Sequence, residues 1–222
     1  MHKSVENLLS IKTKIKREIG YLNNILADPP QVIAVSKTFP IDHINPLIEY
    51  GHTHFGENKV QEAQNKWISV KKNNPKIKLH MLGKLQTNKV KLALKIFDFL
   101  HSLDSYKLAE TIANYSKQIN NKLNIFVQVN IGNEPQKSGI HYSEVKEFVN
   151  TCKEKYSLNI VGLMCIPPNN INPKDFYLKM QNLRSELNLE ELSMGMSSDY
   201  LDAINYGSTF LRIGTNIFGE RK

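Results

Sequence analysis

QVIAVSK (31–37) sets an apolar, β-branched run directly before a lysine, and its reading decides the fold. A short run rich in valine and isoleucine, followed by polar sequence with Leu47 and Ile48 at helical spacing, reads as a buried strand leading into a helix. Working outward, the same unit recurs every 20 to 30 residues. The further candidate strands are HTHFGEN (52–58), IKLHMLG (77–83), FDFLHSL (97–103), NIFVQVN (124–130), NIVGLMCI (159–166), ELSMGMS (191–197) and TFLRIGT (209–215). Between them lie segments of helical spacing: Val60, Ala63, Gln64 and Trp67, then Val90, Leu92, Ala93 and Ile96, then Leu108, Ile112 and Tyr115, then Val145, Phe148 and Val149. Thr87, Ser105, Ser143 and Asp199 stand where those helices should begin and are expected to cap them.

Alternating strands and helices imply parallel strands joined by right-handed crossovers. Eight such units in 222 residues fit a compact (β/α)8 TIM barrel better than an open sheet. No G-x-G-x-x-G follows the first strand, which argues against a dinucleotide fold. The eighth strand is followed by too little sequence for a full helix. An N-terminal helix over about 3–25, with Val5, Leu8, Leu9, Ile15, Ile19 and Leu22 along one side, is expected to cover that gap. With no Gly/Ser linker and no second composition regime, residues 1–222 read as a single domain.

The composition agrees, at 41% hydrophobic and 23% charged residues, which argues against disorder. No apolar run approaches the roughly 20 residues needed to span a bilayer, and the charged N-terminal stretch has no signal-peptide core. A cytoplasmic protein without membrane partners is expected. Cys152 and Cys165 lack metal-ligand spacing and read as reduced thiols, Cys165 as core filler. The net charge of +8 raises the question of nucleic acid. Of the 29 basic residues, however, only Arg17, Arg184, Arg212 and Arg221 are arginines, and the lysines are scattered. With no aromatic-interleaved basic stripe, zinc finger or RNA-binding signature, no nucleic-acid partner is expected.

In a barrel, chemistry gathers where the strands end. Lys37 follows Ile33 and Val35 at period two, so all three share the interior face. A lysine amine there is partly desolvated, which lowers its pKa and frees its lone pair for a carbonyl, unless the side chain snorkels out to solvent. SMGMS (193–197) and RIGTNIFG (212–219) combine hydroxyls with glycines after the last two strands, where barrels often bind phosphate. Gly214 permits close backbone approach, and Ser197 and Thr215 supply donors. Arg212 lies two residues before Gly214 on the same face, and buried it would need an acceptor such as an aromatic cofactor nitrogen. His52 and His54 alternate without a metal-ligand partner pattern and read as structural or solvent-facing. Glu57 reads as orienting a neighbour or, the favoured reading, as a cap for the next helix, and Trp67 as packing on the barrel.

A desolvated lysine, a phosphate cradle and an arginine in one mouth suggest pyridoxal 5′-phosphate (PLP). The stretches AVSKT, FGENKVQE, LHMLGKLQTNKVK, KSGI, GLMCIP, LSMGMSSD and RIGTNIFGER together resemble the YggS/PROSC family of pyridoxal phosphate homeostasis proteins, from about Gln31 to Arg221. That resemblance implies a monomeric barrel akin to the N-terminal domain of alanine racemase, holding PLP as a Schiff base on Lys37. It implies further cofactor contacts from Asn58, the His80 region, Ser197, Arg212, Gly214 and Thr215. Lys137, in QKSGI, matches a family lysine linked to cofactor transfer or a second binding site. The third-strand motif departs from the family, reading HMLGKLQ where a phenylalanine–isoleucine pair and a histidine before LQ are commoner. Lys84 is therefore expected to add positive charge at that rim.

The rival reading is a PLP-dependent amino-acid racemase. Racemisation needs an acid or base on both faces of the cofactor-bound substrate. In the racemase the second is a tyrosine from a β-rich domain for which this sequence has no counterpart. An arginine at the pyridine nitrogen would also keep it unprotonated and weaken the electron sink. The expectation is thus a PLP carrier without catalytic residues or metal ligands, releasing cofactor to apo-enzymes.

Overall fold

The computed structural model describes residues 1–21, 28–119, 122–169 and 171–220. Residues 22–25 of the expected N-terminal helix, Leu22 among them, and Arg221 lie outside the described residues. Among the described residues nine strands form: β1 (Gln31–Val35), β2 (His54–Glu57), β3 (Lys78–Met81), β4 (Phe99–Leu103), β5 (Asn124–Asn130), β6 (Ile140–His141), β7 (Ile160–Cys165), β8 (Glu191–Ser193) and β9 (Phe210–Ile213). Every pairing between them is parallel, and β4 pairs with β5, so eight strands close into a barrel. The two-residue β6, absent from the sequence reading, pairs only with the upper end of β5, Val129 opposite Ile140. The ring closes where β1 meets β9 with Ile33 opposite Arg212.

The helices are α1 (Lys3–Tyr21), α2 (Ile41–Glu49), α3 (Val60–Asn73), α4 (Val90–Ile96), α5 (Tyr106–Ile119), α6 (Val145–Glu154), α7 (Lys174–Glu186), α8 (Tyr200–Asn205) and α9 (Thr215–Phe218). Because α9 has a single turn, a gap opens in the outer ring, and α1 fills it against α2, α8 and α9. Val5, Leu8, Ile11 and Ile15 are buried along that face. Asn7 Nδ2 donates to Ile217 O at 3.0 Å, and Asn205 Nδ2 to Glu18 Oε1 at 3.1 Å. Most of the apolar core lies between barrel and helices, where Trp67 packs on Phe55 with ring centroids 4.8 Å apart.

The barrel interior is a separate small cluster of Ile33, Phe126, Met164 and Phe210, with Leu82, Phe99 and Val161 beside them. Gly56 belongs to the same space, since a Cβ there would come within 2.5 Å of Leu82 Cδ1 and 2.9 Å of Ile33 Cγ2. Two fully buried imidazoles complete the filling. His80 stacks on Phe99 at 4.4 Å and His101 on Phe126 at 4.2 Å.

The expected caps are only partly realised. Ser105 Oγ accepts the Leu108 N–H at 3.4 Å. Thr87 and Ser143 instead sit inside short 3₁₀ turns that precede α4 and α6. Asp199 does precede α8, but its carboxylate turns the other way and holds the β8–α8 loop, accepting from the Met196 N–H at 2.7 Å and the Tyr177 hydroxyl at 2.6 Å.

Candidate functional site

A cavity of about 300 Å³ opens at the C-terminal ends of the strands. It gathers Lys37 from just beyond β1, Asn58 from just beyond β2, Ser197 from the loop after β8, and Arg212, Gly214 and Thr215 from β9 and the start of α9. Val35, Leu82, Met164, Ile166 and Met196 form its apolar walls. Six of the seven residues expected from the sequence thus meet in one place.

His80 is the exception. It is fully buried and does not line the cavity, because the interior face of β3 presents Leu82 to the mouth and His80 one level below. Its nitrogens bond His54 Nδ1 at 3.0 Å and His101 Nε2 at 2.9 Å. Any influence on the cavity passes through its neighbours.

Lys37 is half-buried, and its backbone is clamped on both sides. Ser36 Oγ donates to Glu57 Oε1 at 2.7 Å, and Ser36 O accepts from Lys66 Nζ at 3.0 Å. On the other side, Thr38 takes a left-handed backbone (φ 69°), which is strained for a β-branched residue. The Glu62 carboxylate holds it there by accepting the Thr38 N–H at 2.5 Å. Lys66 joins the two halves, reaching Glu57 at 2.9 Å and Glu62 at 3.0 Å.

Glu57 is therefore no helix cap. It points outward beneath α3, fully buried, where Lys66 and the Trp67 Nε1–H (2.9 Å) reach the same oxygen as Ser36. Burial raises its pKa against the opposing pull of Lys66, Trp67 and Ser36. The residue could be found in the sequence, but its partner Lys66, nearly two helical turns into α3, gave no signal of its own.

Arg212 is 6% exposed and finds its acceptors within the protein. Nη1 donates to Ser193 O at 2.6 Å and Ser193 Oγ at 2.8 Å, and Nη2 to Cys165 O at 2.8 Å. The cofactor nitrogen that the sequence reading supplied is thus not needed to satisfy it, and these bonds fix the guanidinium as part of the cavity wall. Cys165 contributes its carbonyl, while burial pushes its thiol up to about 12, out of reach as a nucleophile near neutral pH.

The loops after β8 and β9 are tied together at the rim. Asn216 donates from its N–H to Ser197 Oγ at 3.4 Å and from Nδ2 to Ser197 O at 2.8 Å. Ser197 and the first turn of α9, with Thr215, thus stand on one side of the mouth. Gly83 is needed nearby, since a Cβ would come within 2.3 Å of Asn58 O. Lys137 lies in a neighbouring cavity with Lys84, Gln128, Asn130 and Ser138, donating to Pro167 O at 3.2 Å and pairing with Glu134 at 2.6 Å. The Lys84 amine is partly neutralised by Asp104 at 3.4 Å. Among the described residues, no group of three or more His, Cys, Asp or Glu could hold a metal ion.

A primary amine, hydroxyl and N–H donors opposite it, and a fixed guanidinium can together hold a carbonyl compound that carries an anionic group. Comparison with known proteins agrees with that chemistry. Residues 12–222 match the family model "Alanine racemase, N-terminal domain". A pyridoxal phosphate homeostasis protein of Aquifex aeolicus is 37% identical over 201 residues, covering 86% of this chain and 87% of its own. PipY of Synechococcus elongatus, solved without and with PLP bound, superposes at TM-scores of 0.82 and 0.80 with 33% identity, over 92% of this chain and the whole of that one. Alanine racemase of Clostridium difficile shares the fold alone, at TM-score 0.68 and 15% identity, and the match spans 56% of its length and 93% of this chain. By the family model and the curated relatives together, the chain belongs to the alanine racemase N-terminal-domain family and, within it, to the pyridoxal phosphate homeostasis proteins.

Proposed function

We propose that the protein binds pyridoxal 5′-phosphate in the cavity at the C-terminal mouth and acts as a carrier in intracellular PLP homeostasis, without turning substrates over. The observation that carries this reading is the meeting of Lys37, Arg212, Ser197, Gly214 and Thr215 in one cavity. The donor set fits the group: an amine for its aldehyde, hydroxyls and an N-terminal helical turn for its phosphate, and apolar walls for its ring. PLP itself supplies a carbonyl that condenses with amines and, in enzymes, an electron sink.

The chain's own residues divide the remaining work. The Ser36–Glu57–Lys66–Glu62 clamp holds the Lys37 backbone in place at the rim. Ser197 and Thr215 present donors to an anion, and Gly214 lets it approach the backbone. Arg212 only donates, so it would favour an unprotonated ring nitrogen placed beside it. Met164, Ile166 and Leu82 exclude water from one side.

The carrier reading is supported by what the described cavity wall contains. Besides Lys37 it presents no tyrosine, histidine, cysteine or carboxylate, so a second acid or base for racemisation is not at hand. The same reading includes a cytoplasmic monomer that passes PLP to apo-enzymes.

The test is to load the purified protein with PLP, reduce it with borohydride and map the modified residue by mass spectrometry. The adduct is expected on Lys37 and lost in a folded Lys37→Ala variant. An adduct chiefly on another lysine would overturn the site.

A further inference from the structure

A line of hydrogen bonds crosses the barrel interior where an apolar filling would serve the fold as well. Arg212 Nη1 meets Ser193 Oγ at 2.8 Å, Ser193 Oγ meets His101 Nδ1 at 2.8 Å, His101 Nε2 meets His80 Nδ1 at 2.9 Å, and His80 Nε2 meets His54 Nδ1 at 3.0 Å. Arg212, at the upper end, lines the cofactor cavity. His54, at the lower end, lines a different cavity of about 360 Å³ at the N-terminal ends of β1 and β2. Ser193, His80 and His101 are fully buried between them.

The chemistry of the groups fixes the direction of this line. Burial pushes the pKa of both His80 and His101 well below the ordinary value, and Arg212 adds to the effect at His101. Both are therefore neutral, and each offers one donor and one acceptor. A guanidinium only donates, so Ser193 Oγ accepts from Arg212. Among the described hydrogen bonds of Ser193 Oγ, only His101 Nδ1 can receive its hydroxyl proton. His101 must then carry its proton on Nε2 and donate to His80 Nδ1. His80 likewise donates from Nε2 to His54 Nδ1, leaving the His54 proton on Nε2.

We infer that His101 and His80 are positioning residues for Arg212: a one-directional chain of donors locks Ser193 Oγ as the acceptor that seats the guanidinium against the cofactor, with His54 as its foot in the lower cavity. This rests on the reading of the upper cavity as the PLP site. A proton gained by His54 would reverse the chain. Each of His80 and His101 would lose its Nε2 proton and gain one on Nδ1, His54 would carry both, and the Ser193 hydroxyl would need a new acceptor. The groups that face His54 set when this occurs. They are His80, Lys78 and Asp98 from β3 and the turn before β4, His52, and Lys12, Lys16 and Asp28 across the lower cavity. Burial first and Lys78 second lower the His54 pKa, against Asp98, so the chain keeps its direction through neutral pH.

Two measurements decide it. In the protein without PLP, ¹⁵N-detected histidine spectra should show His80 and His101 as Nε2–H tautomers from pH 8 to 7, where His54 is neutral. Nδ1–H or imidazolium signals would overturn the inference, whatever the protein binds. In the second, PLP affinity and the pH profile of its absorbance are followed in two variants. His101→Phe removes the acceptor for Ser193 and should weaken PLP about tenfold and shift the profile. His101→Asn keeps an acceptor at the Nδ1 position and should stay within about threefold of the native protein. Equal behaviour of the two, or a folded His101→Phe protein with native affinity and profile, would overturn it. Should native protein fail to bind PLP, the proposed function fails while the tautomer spectra still decide the chain.

Discussion

Acidification from pH 7.5 to 5.5 should destabilise this protein by an amount that can be worked from its buried histidines. His52 is buried, and burial first, then Lys12, pushes its pKa down to about 3. His80 and His101 are pushed well below the ordinary value, first of all by burial. A histidine with a depressed folded pKa contributes stability above its unfolded pKa, about 6.5, and loses it as pH falls below that value, because only the unfolded chain takes up the proton. At pH 5.5 each such group costs about 1.4 kcal/mol, so three cost about 4 kcal/mol. For a chain of this size that is a fall in Tm of about 8–16 °C. His54 shifts in the same sense and adds to the loss. Glu57 opposes it, because its raised pKa favours the folded state as pH falls, but it is one group against several. The assay is calorimetry at constant ionic strength at pH 7.5, 6.5 and 5.5, with His52→Gln expected to remove about a third of the change. A Tm constant to within about 2 °C over this range would refute the assignment of neutral buried imidazoles.

Other outcomes follow from the site. Lys66→Met strands the buried Glu57 carboxylate and should cost about 3–5 kcal/mol in urea unfolding. Adding Glu57→Gln should recover much of that loss, and no recovery would mean the ion pair is not what the clamp depends on. Ser197→Ala or Thr215→Ala should weaken PLP more than unphosphorylated pyridoxal, by roughly 1.5–3 kcal/mol. Equal weakening of both ligands would remove the hydroxyls from the phosphate. In deuterated water, the PLP-loaded protein should exchange α-protons of L- and D-amino acids no faster than free cofactor does. Turnover at about 1 s⁻¹ or more would make it an enzyme.

The eight barrel strands were legible because short runs recur at a regular interval between polar segments of helical spacing, most of them apolar, although HTHFGEN holds a single large apolar residue. Parity alone also placed Lys37, Arg212 and Gly214 correctly on the interior face. What parity cannot supply is level. His54, His80 and His101 are all inward-facing, yet His80 stands opposite Gly56 on one side and Phe99 on the other, so each histidine sits one step higher than the last. That stagger comes from the tilt of the closed sheet, and it removed His80 from the cavity while building a line of imidazoles. Outward-facing polar residues were harder still. Glu57 and Asp199 both stand just before helices, where acidic residues usually cap. Both were recruited instead by distant partners, Lys66 and Trp67 in one case and Tyr177 in the other.

The seam between β1 and β9 has a consequence for synthesis. Gln31 pairs with Phe210, so the two edges of the ring lie about 180 residues apart in the chain. At typical elongation rates that separation corresponds to roughly 10–40 s on the ribosome. Through that interval β1 offers an unpaired edge, and the buried face of α1 lacks α8 and α9 to cover it. The nascent chain therefore exposes a valine-rich strand and an apolar helix stripe together, which is the kind of surface that chaperones hold and that neighbouring chains can capture. Folding yield should depend on how quickly translation delivers the TFLRI segment, and slowing the ribosome just ahead of it should raise the aggregated fraction.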